Sequence, residues 1–160
     1  LQMNQEASFM RYVLEKEVFK LACESFPKSA FAELKKNFAL QQELLGQQGK
    51  EKEFHRLDKQ FHLIIFKGKN KEHIWEAITR ISTHYNRVRL LSEMQHSFDK
   101  AIIEHGKIVE MIEQKDDAHI ENIVREHIIA PTKLWANLYS DNSPYRHYFK
   151  YVEEKQAAAR

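Results

Sequence analysis

The chain has 160 residues, of which 42% are hydrophobic and 30% are charged, a balance that allows one domain with a conventional core. Its 25 Lys and Arg residues nearly match its 23 Asp and Glu residues. The formal net charge of +2 excludes the strong overall positive potential that binds nucleic acid. Because there are only four glycines and three prolines, the composition favours helices, and we predict an all-α fold.

Two features bear on the environment of the chain. Cys23 is the single cysteine and can form no internal disulfide, which favours a reducing cytosol. No apolar run approaches the roughly 20 residues that span a bilayer, and the first residues lack a signal-peptide pattern. We therefore expect a cytoplasmic protein with no membrane partner. The start at Leu1 rather than at a methionine suggests a piece of a longer chain.

Three helical patterns occupy the first half of the chain. Apolar residues at spacings of three and four predict an amphipathic helix over residues 5–26, which the following proline ends. Ser29 is the predicted cap of a second helix, which reaches a loop at residues 46–50. A third helix is predicted at about 51–66, with Gly68 in the left-handed conformation that closes helices.

The second half carries three further helical patterns. Asn70 is the predicted cap of a fourth helix, Ser97 of a fifth and Asp117 of a sixth, which Pro131 should end. A turn at residues 140–144 precedes a possible terminal helix. The fourth helix has one continuous apolar face, which consists of Ile74, Ile78, Ile81, Tyr85 and Val88. Six or seven helices with short connections predict an antiparallel bundle, whose interior can hold a site.

Four polar side chains fall on the apolar faces of these helices. Asp58 and His62, within LDKQFHLII, are four residues apart and therefore stack on one face of the third helix. His105 lies within the apolar arc of the fifth helix, and His127 within that of the sixth. A buried carboxylate without a partner is costly, whereas a divalent cation removes that cost. Imidazole and carboxylate suit zinc, nickel, manganese, cobalt or iron, so these four residues are candidate metal ligands.

An alternative reading needs no metal. Each buried histidine could be a hydrogen-bonded core residue, and the pair formed by Asp58 and His62 could be a simple intrahelical contact. The chain has nine histidines, so some fall on interior faces by chance. Spacing alone leaves the two readings open.

The order of these residues matches a longer pattern. Four segments carry it, namely FMRYVLEKEVFKLAC (9–23), LDKQFH (57–62), HYNRVRLLS (84–92) and EHGKIVEMIEQKDDAHIENIVREHI (104–128). Together they resemble the ligand-sensing FCD domain of bacterial transcription regulators in the GntR superfamily, FadR subfamily. The resemblance extends over about residues 6–130.

This resemblance implies a fold and a ligand set. The implied fold is an antiparallel bundle of six or seven helices over residues 1–140. The implied cofactor is a divalent transition metal, with zinc, nickel or manganese expected, beside which a small organic acid binds as effector. The residues that match the metal-binding positions of the family are Asp58, His62, His105 and His127.

Three basic residues are candidate effector ligands. Arginine can clamp a carboxylate with two hydrogen bonds, and helical positions place Arg11 and Arg89 at the inward edges of the first and fourth helices. His84, near the inward edge of the fourth helix, is the third candidate. The alternative for each arginine is a surface position, with its aliphatic stem lying on the bundle.

The resemblance also implies partners. Regulators of this family are expected to form homodimers and to bind DNA through an N-terminal winged helix-turn-helix domain, which this chain does not contain. Residues 141–160 extend beyond the match, and we expect them to form a C-terminal extension with a helix.

Other functions compete with a sensor. A metal-dependent hydrolase could use the same ligands to activate water but would need a general base. Glu104 adjoins His105 but is predicted to point about 100° away from it on the helix. A di-iron oxidase would need two Glu-x-x-His motifs, and Glu93 to His96 alone has that spacing. A purely structural module would leave Asp58 without a role. We expect a sensor and no enzymatic activity.

Overall fold

Helices make up nearly all of the computed structural model, in which residues 2–138 and 142–145 are described. A short 3-10 segment, Ala130–Leu134, joins the last two helices. The helices are α1 (Gln2–Glu24), α2 (Lys28–Gln42), α3 (Glu51–Gly68), α4 (Glu72–Ile81), α5 (Thr83–His96), α6 (Asp99–Gln114), α7 (Ile120–Ile128) and α8 (Trp135–Leu138). The prediction of an all-α bundle is confirmed, and α1 to α7 are its main helices.

The break between α4 and α5 was not predicted. The apolar spacing indicated one continuous helix, whereas Ser82 interrupts it with φ −86° and ψ 8°. Serine is a weaker helix former than alanine or leucine, so a break at this position costs little. The buried face continues across the break, because Ile78 before it and Tyr85 after it are both in the core. Periodicity therefore gave the correct face but missed the interruption.

Several predicted helix ends are wrong by a few residues. Ser29 lies inside α2, whose N-cap is Pro27. Asn70 has φ 56° and takes the left-handed conformation predicted for Gly68, which is the last residue of α3. Asparagine tolerates this conformation better than most residues do. The predicted caps Ser97 and Asp117 likewise precede the observed N-caps of α6 and α7, which are Phe98 and His119.

Gly68 has a packing role instead. A Cβ atom at this position would clash with the ring of Phe26, so the absence of a side chain lets the α1–α2 connection close against the end of α3. A larger residue would require the Phe26 ring to move.

Three groups of apolar side chains surround the middle of α3. The largest joins α1, α3, α6 and α7, and its fully buried members include Phe19, Phe61, Ile65, Ile108, Ile120 and Val124. The second joins α1, α5 and α8, and the third joins α3, the start of α6 and the end of α2. Each fully buried large side chain contributes about 1.5–3 kcal/mol of transfer free energy. Asp58 and His62 lie on α3 among these groups.

Two further predictions concern membrane-spanning helices and the C-terminal extension. No helix of the described segments is both long and apolar enough to cross a membrane. The expected C-terminal extension over 141–160 lies outside the described residues, except for positions 142–145.

Candidate metal centre

The four candidate ligands meet at one point inside the bundle. Asp58 and His62 come from neighbouring turns of α3, His105 from α6 and His127 from α7, and all four are buried. One ligand atom from each residue lies within 4.8 Å of the others. The predicted set is therefore brought together by three helices.

The ring nitrogens nearest this point are the Nε2 atoms. His127 Nε2 lies 3.1 Å from His105 Nε2 and 3.3 Å from His62 Nε2. Asp58 Oδ1 lies 3.5 Å from His105 Nε2 and 3.7 Å from His62 Nε2. Three nitrogens and one carboxylate oxygen thus converge, a donor set that suits a transition metal.

The opposite nitrogen of each ring contacts an acceptor. His105 Nδ1 is 2.7 Å from Gln41 Oε1, and His127 Nδ1 is 2.9 Å from Glu104 Oε2. His62 Nδ1 is 2.9 Å from Glu15 Oε2, at an angle less favourable than that of a linear hydrogen bond. Carboxylate and amide oxygens only accept, so these hydrogen bonds place the protons of His105 and His127 on Nδ1 and leave their Nε2 lone pairs free. Metal-binding histidines commonly have such outer partners.

The three outer partners were not predicted. Glu104 was expected to point about 100° away from His105, but it is buried because α7 packs against α6 and covers it. Glu15 and Gln41 are also buried. The spacing of Arg11, Glu15 and the following buried residues Val18 and Ala22 is helical. Such spacing is the signal that could have located the polar partners.

Asp58 is also paired with Arg89 on α5. Arg89 Nη1 donates to Asp58 Oδ2 and Arg89 Nη2 donates to Asp58 Oδ1, both at 2.8 Å. Burial alone would raise the pKa of Asp58, but the charge of Arg89 and contacts with His62 hold it well below its usual value. Burial would likewise lower the pKa of Arg89, but Asp58 and Glu93 hold it well above its usual value. Both residues are therefore charged.

The three histidines differ in basicity. Burial would lower the pKa of His62, but the charge of Glu15 and the contact with Asp58 raise it. Burial and the neighbouring His127 hold the pKa of His105 well below its usual value. Burial also lowers the pKa of His127, against the opposing effect of Glu104. His62 is therefore the most basic of the three rings.

The candidate effector ligands have different surroundings. Arg11 is buried, its Nε donates to Glu15 Oε1 at 2.6 Å, and its guanidinium lies 5.0 Å from the centre of the Tyr85 ring. Its Nη2 has no hydrogen-bond partner among the described residues. In contrast, Arg89 is held by Asp58 and by Glu93, which accepts from its Nε at 2.8 Å. His84 is exposed, so its predicted inward orientation is wrong. It lies in the first turn of α5, next to the interruption at Ser82.

Two cavities flank the cluster. The first has a volume of about 260 Å³, and Asp58, Arg11 and Trp75 are among the residues that line it. The second has a volume of about 300 Å³ and is lined in part by His127 and Arg89. A small molecule in either cavity would lie next to a candidate metal ligand.

These features define an all-helical domain with a buried Asp/His₃ cluster next to a cavity. The FCD domain family matches residues 6–130, so the chain belongs to this family, the effector-binding C-terminal domain of GntR-family regulators. All four candidate ligands lie within the matched range. No curated protein and no solved structure gives a significant match to the chain.

Proposed function

We propose that this chain is the sensor domain of a GntR-superfamily regulator of the FadR subfamily. In this proposal it binds a divalent transition metal (zinc, nickel or manganese) through Asp58, His62, His105 and His127. A small carboxylate effector binds beside the metal. The effector controls DNA binding by the winged helix-turn-helix domain of such a regulator.

The convergence of three Nε2 atoms carries the metal proposal. They lie 3.1 and 3.3 Å apart, and the protons of His105 and His127 are held on the far side of each ring. These nitrogens repel one another unless a cation or a proton lies between them. A divalent metal with three neutral histidines and one carboxylate keeps a net charge near +1. That remaining charge favours an anionic ligand.

The first cavity supports a carboxylate effector. Arg11, Arg56 and Lys59 line it, whereas its one acidic residue among the described lining residues, Asp58, is already neutralised by Arg89. Trp75 and Ser82 also line the cavity, and Trp75 Nε1 and Ser82 Oγ have no hydrogen-bond partner among the described residues. A cavity with excess positive charge and spare donors favours a ligand rich in acceptor oxygens.

The site connects to helices that could pass a signal. Arg11 and Glu15 tie α1 to the cluster, and α1 packs against α4 and α5. An effector changes the protein only through different affinities for two arrangements of these helices.

We propose a homodimer through α1 and the α4–α5 pair, where Phe9 and Met94 are 68% and 55% exposed. Large exposed apolar residues of this kind favour an interface. A cytoplasmic location follows from action on DNA.

The alternative is a metal-dependent hydrolase, which would need a general base near the metal-bound water. Glu15 and Glu104 are buried acids close to the cluster, but they contact the Nδ1 atoms of His62 and His127. They therefore lie on the far side of the rings from the convergence point. This placement suits outer partners of the ligands, and we propose that the domain is not an enzyme.

Metal binding by purified protein tests the proposal. After treatment with a chelator, the chain should bind one zinc, nickel or manganese ion, measured by calorimetry and elemental analysis. His105→Ala and His127→Ala should each abolish tight binding, whereas His73→Ala, at an exposed position, should not. Thermal-shift screening with di- and tricarboxylates, sugar acids and amino acids should then find stabilisation that requires both metal and acid. Binding that is unaffected by either core substitution would refute the metal site, and turnover of an ester or amide would favour the hydrolase.

A further inference from the structure

Helix α2 supplies no candidate ligand, yet it carries two buried amides beside the cluster. Asn37 and Gln41 are four residues apart and face the α3–α6 side of the bundle. Gln41 contacts His105 directly, and Asn37 contacts Gln41. Burying two amides is costly unless they are hydrogen-bonded. Their bonds form one continuous chain.

The backbone carbonyl oxygen of Leu57 fixes the direction of every hydrogen bond in this series. The carbonyl oxygen of Leu57 only accepts, so Asn37 must turn its Nδ2 toward it, at 3.2 Å. Asn37 Oδ1 then faces Gln41, whose Nε2 must donate to it, at 2.8 Å. Gln41 Oε1 is left facing His105 Nδ1, at 2.7 Å. Since Oε1 accepts, Nδ1 must be the protonated nitrogen of His105.

A reversed Gln41 would have the opposite effect. Its amide nitrogen would then face Nδ1 and force the ring proton onto Nε2, which points into the cluster 3.1 Å from His127 Nε2. That proton would occupy the lone pair needed for a metal. The carbonyl oxygen at the end of this hydrogen-bond series belongs to Leu57, the residue before Asp58. One backbone segment therefore carries one candidate ligand and orients another.

We infer that Asn37 and Gln41 are positioning residues of the metal centre, which hold His105 in the tautomer that presents its Nε2 lone pair. This inference rests on the proposed metal binding. It assigns to α2 a role in metal affinity although α2 contributes no ligand. Gln41 is the neutral one of the three outer partners, because the outer partners of His62 and His127 are carboxylates.

Metal affinity of single variants tests the inference. Gln41→Leu removes the acceptor and should weaken zinc binding by about 10- to 100-fold, the usual effect of losing an outer partner. Gln41→Glu keeps an acceptor facing His105 Nδ1, although it loses the hydrogen bond to Asn37 Oδ1, and should bind zinc more tightly than Gln41→Leu. Asn37→Leu leaves Gln41 present but free to reverse, and its loss should be smaller than that of Gln41→Leu. Gln42→Leu, at the exposed neighbouring position, is the matched control. Competition with a chromophoric chelator measures all five proteins.

The tautomer of His105 gives a readout that a purely structural role would not change. In the metal-free wild type, nitrogen NMR of the imidazole should show the proton on Nδ1. Gln41→Leu should lose this preference, and Gln41→Glu should restore it. Thermal unfolding of each variant shows that it is folded.

The outcomes separate this inference from the proposed function. A wild type that binds no metal overturns the proposed function, and this inference with it. A wild type that binds zinc while Gln41→Leu binds equally well, with the proton still on Nδ1, overturns the inference alone. Weakened zinc binding by Gln41→Leu, with recovery in Gln41→Glu, supports it.

Discussion

Arg89 and Asp58 face each other through two parallel hydrogen bonds of 2.8 Å inside the bundle. The guanidinium supplies the positive charge that lets a carboxylate remain ionised next to three histidines. Asp58 Oδ1 is both an acceptor from Arg89 and the oxygen closest to the candidate metal position. Arg89 and a metal would therefore stabilise the same carboxylate.

Replacing Arg89 should make folding depend on metal. Arg89→Met leaves Asp58 buried without a counter-charge, and loss of one partner of a buried pair costs about 3–5 kcal/mol. Zinc should restore part of this loss, so the metal-induced rise in Tm should be larger for the variant than for the wild type. Thermal unfolding with zinc and with chelator measures both. Arg87→Met, at an exposed position on the same helix, should show neither effect.

Acid should destabilise the metal-free protein through Glu15. Burial would raise the pKa of Glu15, but the charges of Arg11 and His62 lower it from 4.5 to about 2. A carboxylate with a lowered pKa in the folded state stabilises that state at higher pH, and this contribution is lost as pH falls from about 4.5 to about 2. Chemical denaturation at a series of pH values should show the decline. Glu15→Gln should flatten it, and an equally steep decline in that variant would contradict the assignment.

Metal binding should release protons near neutral pH. The pKa of His62 is raised, so part of the metal-free population carries a proton on this ring, which metal must displace. Zinc affinity should therefore increase with pH until His62 is neutral, with release of up to about one proton per ion. Calorimetry in two buffers with different ionisation enthalpies measures this number. The prediction would be contradicted if zinc binding released no protons at pH values just below and just above neutrality.

Arg11 should govern acid binding more than metal binding. Arg11→Lys keeps the charge but loses the planar pair of donors, and a charge-assisted hydrogen bond contributes about 1.5–3 kcal/mol. We expect about a tenfold or greater loss of affinity for carboxylates such as succinate or citrate on zinc-loaded protein. Zinc affinity itself should change much less. Arg80→Lys, on the exposed side of α4, is the control, and equal losses in both variants would argue against a specific clamp.

The helical period explains why the four candidate ligands could be found from the sequence. A helix that buries one face must turn inward every polar residue on that face, so Asp58, His62, His105 and His127 had to share one core. Their meeting at a single point follows from the packing of α6 and α7 against each other and around α3. Spacing within one helix cannot predict that packing.

The features that were missed depend on contacts between helices. Glu104 is 100° from His105 on the helical wheel, and its burial results from α7, which covers a face that a single-helix view leaves exposed. Ser82 interrupts α4 and α5 without disturbing the apolar period. His84 was predicted near the inward edge of this face, whereas the structure exposes it.

A crystal structure of zinc-loaded protein with anomalous scattering tests the central claim most directly. The account predicts one anomalous peak per chain, bonded to His62, His105 and His127 through Nε2 and to Asp58 through a carboxylate oxygen. A peak elsewhere, or no peak while these four side chains remain bonded only to one another, would contradict it.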